Sequence, residues 1–129
     1  MSRREEIRAP GLAEPVSHYT DAVRAGDLLF VSGCISVDGE GRLVGGDDVV
    51  AQTRQVFANI ETVLAAAGAS IRDVVKVTVF LTDVGDRAAV NTVREEVFGD
   101  TRPASTLVEV SKLVIDDARV EIEVVALVS

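Results

Sequence analysis

The spacing of apolar residues changes from helical to alternating near the middle of the chain, and this change constrains the fold most. Between Asp47 and Gly68, core-compatible residues recur three or four positions apart, as on one face of an amphipathic helix. They are Val49, Thr53, Val56, Phe57, Ile60, Val63, Leu64 and Ala67. From Val75 to Leu81, valine or leucine stands at every second position, which is typical of a strand with one buried face. The sequence therefore predicts a helix that starts at an N-cap Asp47 or Asp48, ends at an αL glycine, Gly68, and leads into a strand.

Two further elements are indicated on either side of this unit. Residues 19–23 and 28–31 are separated by the turn Ala25-Gly26-Asp27, which predicts a β-hairpin. A second helix is predicted after an N-cap Asp86, and Gly99 marks its end.

The last part of the chain contains two more extended segments, residues 104–111 after Pro103 and residues 120–128. The resulting order, β-β-α-β-α-β-β, predicts an α+β fold in which a single sheet packs on two helices. A chain of 129 residues is long enough for one core and too short for two. Residues 1–129 are therefore interpreted as a single domain.

The face of the sheet turned away from the helices is predicted to be partly apolar. In the final segment Glu121 alternates with inward-facing valine and isoleucine, yet its face also carries Val125 and Leu127. The same alternation assigns Ser105 and Leu107 to this face. Together with the mean hydropathy of +0.27, the pattern predicts an oligomer that buries this face and leaves its few polar groups for a cleft.

Charge and residue types exclude several classes of protein. The formal charge of -8 and the absence of tryptophan argue against binding of nucleic acid. A lone cysteine, Cys34, and a single histidine, His18, supply neither a disulfide nor a metal site, so no metal and no cofactor are expected. The start of the chain lacks the apolar core of a signal peptide, and the apolar C-terminal tract is interrupted by glutamates. We therefore expect a cytoplasmic protein that binds no membrane.

Several short motifs occur in an order that resembles the RidA/YjgF family over nearly the whole chain. These are Tyr19, Phe30-Val31-Ser32-Gly33, Ala51-Gln52-Thr53-Arg54-Gln55, Ala66-Ala67-Gly68, Val75-Lys76-Val77-Thr78-Val79-Phe80, Val90-Asn91, Val108-Glu109-Val110 and Val120-Glu121-Ile122-Glu123. The resemblance implies a chorismate-mutase-like fold with a single mixed β-sheet, a homotrimer, and small-molecule clefts between subunits. It also implies hydrolysis of reactive enamines or imines, such as 2-aminoacrylate, without metal or cofactor.

The resemblance also assigns residues to the cleft. Those that match the family's positions are Tyr19, Ser32, Gly33, Asn91, Leu107 and Glu121. Ser105 stands where the family has an arginine that holds the substrate carboxylate, Arg94 stands where an aromatic residue is usual, and Leu107 often corresponds to a cysteine. The chain is thus identified as a divergent member, with Ser105 at the catalytic-arginine position.

Two residues carry the expected chemistry. One carboxyl group can activate water and then protonate the departing amine, so Glu121 is the catalytic candidate, against the alternative of a solvated or ion-paired glutamate. In a partly apolar cleft its pKa is expected to rise. Ser105, the second residue assigned to catalysis, and Thr106 offer hydroxyl contacts in place of the arginine.

Arg94 has two interpretations. On a helix it lies one turn from Asn91, so it could supply a displaced cation to the cleft. Alternatively, it is a surface arginine that pairs with Glu95 or Asp86.

The replacement of the family's arginine by Ser105 affects the expected activity. Loss of an arginine that pairs with a buried carboxylate costs about 2 to 5 kcal/mol, which is roughly two to three orders of magnitude in rate. The 2-aminoacrylate activity is therefore not expected in its usual form.

Other candidates are weighed in the same way. Tyr19 is expected to cover an unsaturated ligand, or else to be a core aromatic residue. Cys34 is interpreted as a small buried residue and His18 as a loop residue, because no third group is evident that would make them a catalytic pair.

The sequence favours a hydrolase or deaminase that acts on a small enamine, imine or related unsaturated amino compound other than 2-aminoacrylate. The alternative is a non-catalytic homologue that binds a small metabolite or has a regulatory role. A ribonuclease or translation inhibitor is least favoured, because the chain is acidic and lacks a basic, aromatic-rich face.

Overall fold

Six strands and two helices make up the computed structural model, which describes residues 3–129. In chain order they are β1 (Arg4–Ile7), β2 (Ala22–Ala25), β3 (Leu28–Ile35), α1 (Val49–Ala66), β4 (Val74–Leu81), α2 (Arg87–Phe98), β5 (Ala104–Glu109) and β6 (Val120–Leu127). Short 3₁₀ turns at Ile71–Asp73 and Val84–Asp86 precede β4 and α2.

The strands form one mixed sheet in the order β1-β2-β3-β6-β4-β5. All neighbouring strands are antiparallel except β4 and β5, which run parallel because α2 crosses over between them. One face of the sheet packs on the helices, and Phe57 of α1 meets Phe98 of α2 edge to face, with ring centroids 5.6 Å apart. The predicted α+β fold, with a single mixed sheet packed on two helices, is confirmed.

The N-terminal strand β1 was absent from the sequence prediction. Its residues Arg4, Glu5 and Glu6 are exposed and charged, so the segment lacks the alternating apolar pattern that predicts a strand. Main-chain pairing with β2 holds it at the edge of the sheet, where charged residues are common. The predicted hairpin is present, but its first strand is Ala22–Ala25 and Tyr19 lies before it.

The predicted capping residues flank both helices, Gly99 ends α2 as predicted, and only the side-chain cap of α2 is missing. The Asp48 carboxylate accepts hydrogen bonds from the N–H groups of Val50 and Ala51, at 2.9 and 3.2 Å, and Gly68 has a φ of 76°. Asp86 precedes α2 but makes no side-chain capping bond. Its carboxylate accepts two hydrogen bonds from Arg119 Nη2 instead, at 2.8 and 2.9 Å, because a charged donor lies within reach.

The open face of the sheet carries exposed apolar side chains, as predicted. Phe30 and Leu127 remain 47% and 50% exposed, and they lie beside Val125 and Leu28 in paired strands. Near the other end of these strands a second small cluster covers this face, formed by Ile35, Leu113 and Ala118.

The assignment of Ser105 and Leu107 to the open face is wrong. In the parallel pair, Ser105 lies opposite Val77 and Leu107 opposite Val79, and both valines are fully buried in the core against the helices. Directly paired residues point to the same face, so Ser105 and Leu107 point towards α2. Alternation along a strand shows which residues share a face. The register with the neighbouring strand decides which of the two faces points towards the helices.

Candidate functional site

The predicted site residues form two separate groups on the chain. We call Tyr19, Ser32, Gly33 and Glu121 the glutamate cluster, because the first three line one cavity and Gly33 lies against the Glu121 carboxylate. We call Asn91, Arg94, Ser105 and Leu107 the arginine cluster, because they lie where α2 meets β5.

A β-bulge shapes the glutamate cluster. Val31 pairs with Val124 and Cys34 with Ile122, so Ser32 and Gly33 together lie opposite the single residue Glu123. Such a bulge interrupts the ladder and bends the strand, and bulges are common beside functional sites. The Ser32 N–H donates to the Asp21 carbonyl at 2.9 Å, and the Ser32 hydroxyl donates to the Thr20 carbonyl at 2.6 Å. Ser32 therefore fixes the segment that follows Tyr19.

Gly33 makes room for the Glu121 carboxylate. A β-carbon added at position 33 would overlap Glu121 Oε2, so only glycine leaves this carboxylate where it is. Burial raises the pKa of the half-buried Glu121 carboxyl, and the negative charge of Glu123 on the same face adds to the rise. A raised pKa makes a carboxyl group a stronger base, which suits a group that must take and return protons.

A cavity opens at Gly33, the residue that this carboxylate lies against, although the Glu121 side chain does not itself line it. Tyr19, 48% exposed, lines it together with Ser32, Gly33 and apolar residues that include Val114 and Ile115. The Tyr19 hydroxyl accepts a hydrogen bond from the Val16 N–H at 3.4 Å, and the residue remains about half exposed to solvent. The ring is therefore placed as a wall of the cavity and is not a core residue.

Cys34 also lines the cavity, but its environment disfavours a thiolate. Burial raises the pKa of the Cys34 thiol to about 12, and the negative charges of Asp21 and Glu121 contribute. A thiol in this state is a poor nucleophile, which agrees with the interpretation of Cys34 as a packing residue.

Two members of the arginine cluster, Asn91 and Arg94, share one face of α2 with Arg87. The three residues are spaced four and three positions apart along the helix. With Leu107 they line an open hollow of about 360 Å³. Arg94 Nη2 donates a hydrogen bond of 2.7 Å to Ser105 Oγ across the gap between α2 and β5.

The surface ion pair considered for Arg94 is not formed. Asp86 is engaged by Arg119, and Glu95 Oε1 accepts from Asn91 Nδ2 at 3.4 Å. Within residues 3–129, Arg94 has no carboxylate partner. Partial burial lowers the pKa of its guanidinium.

Thr106 is separated from both groups. It points to the face opposite Ser105, and its hydroxyl accepts a hydrogen bond of 2.7 Å from Lys76 Nζ. The structure thus brings Ser105 and Leu107 together with Asn91 and Arg94, and leaves Thr106 outside.

The two clusters are far apart within one chain. Ser105 pairs with Val77, which pairs with Val124, and Glu121 lies three residues from Val124 along β6. Two strand spacings and three residues correspond to roughly 14 Å, and the two side chains point to opposite faces of the sheet. A single copy therefore cannot offer Glu121 and Arg94 to the same small ligand.

Two buried polar residues of α1 hold neighbouring loops and strand ends in place, a role that was not predicted. Gln52 is fully buried, and its Nε2 donates to the carbonyls of Gly46 and Asp117 at 2.7 and 3.1 Å, while its Oε1 accepts from the Arg119 N–H at 2.9 Å. Asn59 Nδ2 donates to the carbonyls of Ile35 and Val37 at 3.1 and 2.9 Å. A polar residue that falls on the apolar stripe of a helix, as Gln52 does, is the signal that could have revealed this role.

The described part of the chain shows neither a clustered set of metal ligands nor a membrane-spanning helix. Residues 3–129 contain no group of three or more histidine, cysteine, aspartate or glutamate side chains arranged to hold a metal ion. None of the helices over the same range has the length and apolar character needed to span a bilayer.

Comparison with known proteins adds close relatives over the whole site. A RutC family protein of Pyrococcus horikoshii is 44% identical over 124 residues, which cover 95% of this chain and 97% of the relative. The 3-aminoacrylate deaminase RutC of Acinetobacter baylyi is 38% identical over 123 residues, 95% of this chain and 97% of that protein. The crystal structure of RidA from an Antarctic Psychrobacter superposes with a TM-score of 0.90 at 35% identity, covering 96% of this chain and 99% of the other.

A family model described as Endoribonuclease L-PSP matches residues 8–128, which include both clusters. The family resemblance noted in the sequence is thereby confirmed, and the chain belongs to the RidA/YjgF/RutC family.

Proposed function

We propose that this protein is a cofactor-independent cytoplasmic deaminase that hydrolyses a small reactive enamine or imine. The observation that carries the proposal is Glu121, a half-buried carboxyl with a raised pKa that lies against Gly33 beside a cavity. The A. baylyi relative, which bears the name 3-aminoacrylate deaminase, supports a reaction of this class.

The proposed active sites are clefts between copies of the chain in a homotrimer. The glutamate and arginine clusters lie on opposite faces of one copy, so a second copy is needed to bring them together. The exposed apolar residues of the open face, Phe30 and Leu127 among them, supply surface for such contacts. The family resemblance supports three copies in preference to two.

The proposed chemistry needs water and one proton carrier. An enamine protonated on carbon becomes an iminium, whose carbon is open to attack. Glu121 in its ionised form takes a proton from water as the oxygen bonds to this carbon, giving a carbinolamine. The carboxyl then returns the proton to nitrogen, and the carbon–nitrogen bond breaks with its electron pair leaving on ammonia. The hydroxyl proton passes to solvent water, which replaces the solvent proton taken up on carbon in the first step, and a carbonyl compound is released. Glu121 ends as it began, and the net reaction consumes one water.

The remaining residues of the glutamate cluster would hold the substrate over Glu121. The Tyr19 ring, which lines the cavity, would stack on a planar unsaturated ligand. Gly33 would leave its side-chain space to the Glu121 carboxylate at the bulge, where the ladder hydrogen bonds are interrupted.

The substrate is proposed to differ from 2-aminoacrylate, because Ser105 cannot form the two-pronged ion pair expected of an arginine at that position. 3-Aminoacrylate is the leading candidate. Its carboxylate stands one carbon farther from the amine-bearing carbon than the carboxylate of 2-aminoacrylate does.

Ammonia release from enamines generated in situ tests the proposal. Wild-type protein should release ammonia from 3-aminoacrylate above the uncatalysed rate, and Glu121→Gln should lose about 100-fold or more, the usual scale for a proton-transfer group. Glu61→Gln is the matched control, because Glu61 is an exposed glutamate on α1 that does not line the cavity. No release above background, with ligand binding retained, would instead favour the metabolite-binding or regulatory homologue.

A further inference from the structure

Arg94 carries a positive charge that nothing in the described chain neutralises. Its guanidinium is half-buried, it has no carboxylate partner within residues 3–129, and burial lowers the pKa of the side chain. Removing a cation from water without a counter-ion is costly, and charges taken into a protein are normally paired. A bound anion would supply the partner that Arg94 lacks.

Ser105 fixes the direction of this cation. The Arg94 Nη2 group donates to Ser105 Oγ at 2.7 Å, which ties the end of a long, flexible side chain to strand β5. A guanidinium has two forks, one formed by Nη1 and Nη2 and one by Nε and Nη2. Ser105 accepts only one of the two hydrogens of Nη2, and each fork uses a different one of them. The fork that does not face Ser105 therefore keeps both of its N–H donors.

The surroundings of the free fork suit an organic anion. Asn91 and Arg87 flank it on the same stripe of α2, and Leu107 provides an apolar wall in the hollow of about 360 Å³. Arg87 is exposed and also lacks a carboxylate partner within the described residues. A planar fork with an amide beside it and an apolar wall is complementary to a carboxylate attached to a short carbon chain.

We propose that Arg94, positioned by Ser105, binds the carboxylate of the substrate in this protein. The cation has moved from strand β5 to helix α2, and the substrate class is an enamine or imine whose carboxylate reaches this displaced position. Ser105 is then a positioning residue, which acts on the substrate through Arg94. The assignment of substrate class rests on the proposed deaminase function.

A comparison of charged and neutral substrates tests the role of Arg94. Arg94→Met keeps the length of the apolar stem and removes the cation. It should lower kcat/KM for 3-aminoacrylate by roughly 100-fold, while kcat/KM for the uncharged 3-aminoacrylamide should change by less than about threefold. Arg72→Met, which removes an exposed arginine from the turn Ile71–Asp73, should leave both values unchanged. Equal losses for the two substrates would overturn the proposal.

Variants at Ser105 separate positioning from a structural role. Ser105→Ala should raise KM for 3-aminoacrylate by about tenfold with little change in kcat, since it removes a hydrogen bond to a charged group. Ser105→Thr keeps the hydroxyl and should restore KM. The urea midpoint of unfolding should be that of wild type in both variants. If Ser105→Thr then loses as much activity as Ser105→Ala, the hydroxyl does not position Arg94.

Binding of an unreactive carboxylate separates the anion site from the deaminase. Sodium acrylate has the carboxylate and the double bond but no amine, and its Kd can be measured by NMR titration of the intact assembly. We expect Arg94→Met to raise this Kd at least about tenfold. If acrylate binds in this Arg94-dependent manner while no enamine is hydrolysed, the deaminase fails and the anion site stands. Equal acrylate affinity in wild type and Arg94→Met would refute the anion site, whatever the enzyme turns over.

Discussion

The Glu121 carboxylate occupies the space beside Gly33 that any side chain at position 33 would need. The bulge in β3 and the register of β6 together bring these two residues into contact. Glycine at this position thus has a specific physical role, which is to let a half-buried carboxyl lie against the backbone at the edge of the cavity.

Replacing this glycine should damage catalysis far more than folding. Gly33→Ala forces the Glu121 carboxylate aside, and a displacement of about 1 Å at a reacting group can lower kcat by roughly 100-fold. The clash is with the end of a flexible side chain, so the free energy of unfolding should change by less than about 1 kcal/mol. Ammonia release and urea unfolding measure the two effects. The double variant with Glu121→Gln should be no slower than Glu121→Gln alone, and a further large loss would mean that Gly33 acts independently.

Glu121 should lower the stability of the fold at neutral and higher pH. Its pKa is raised in the folded state, so folding favours the protonated form. That advantage is complete below the unfolded pKa and is lost as pH rises through the folded pKa. Glu121→Gln removes the charge, so it should stabilise the protein at pH 8 relative to wild type and have a smaller effect at pH 4. Urea unfolding at the two pH values measures this, and a loss of stability at pH 8 would contradict the raised pKa.

The pH dependence of turnover should report the interaction between Glu121 and Glu123. The charge of Glu123 contributes to the raised pKa of Glu121, so Glu123→Gln should lower that pKa. Because the proposed attack of water needs the ionised carboxylate, kcat/KM rises with pH through this pKa. The acid limb of the pH profile should therefore move to lower pH in Glu123→Gln. Glu61→Gln provides the control at an exposed site, and an acid limb that moves to higher pH in Glu123→Gln would contradict the assignment.

Gln52 should contribute strongly to stability although it is polar. Gln52→Ala would leave the carbonyls of Gly46 and Asp117 and the Arg119 N–H without this partner, at a cost of about 3 kcal/mol in the free energy of unfolding. Gln55→Ala is the matched control on the same helix. It loses a contact with Asn59 and should cost about 1 kcal/mol or less. Similar losses for the two variants in urea unfolding would show that the buried network contributes little.

Much of the fold follows from local physics that the sequence displays. The helical stripe, the Asp48 cap and the αL glycine at position 68 define α1, and alternation defines β4 and β6. Strand β1 escaped prediction because its pairing is carried by the main chain and its side chains are charged and exposed. Asp86 stands at the predicted N-cap position of α2, but Arg119, far along the chain, binds its carboxylate, so the side-chain cap is absent.

The site was predictable to a smaller extent. Glu121 with a raised pKa could be anticipated from a carboxyl on a partly apolar face. The face of Ser105 could not, because the register of the parallel β4–β5 pair depends on how α2 crosses over. The contact between Arg94 and Ser105 also spans two elements, so it follows from packing and not from spacing.

Complementation between two inactive variants tests the central claim most directly, namely that each site combines Glu121 of one copy with Arg94 of another. Glu121→Gln and Arg94→Met chains would be unfolded, mixed in equal amounts and refolded, and ammonia release from 3-aminoacrylate would be compared with that of each variant refolded alone. If the two clusters come from different copies, random assembly gives intact pairs in about one quarter of the clefts, so roughly a quarter of wild-type activity should return. Activity no higher than that of the separate variants, with mixed assembly verified by native mass spectrometry, would contradict the account.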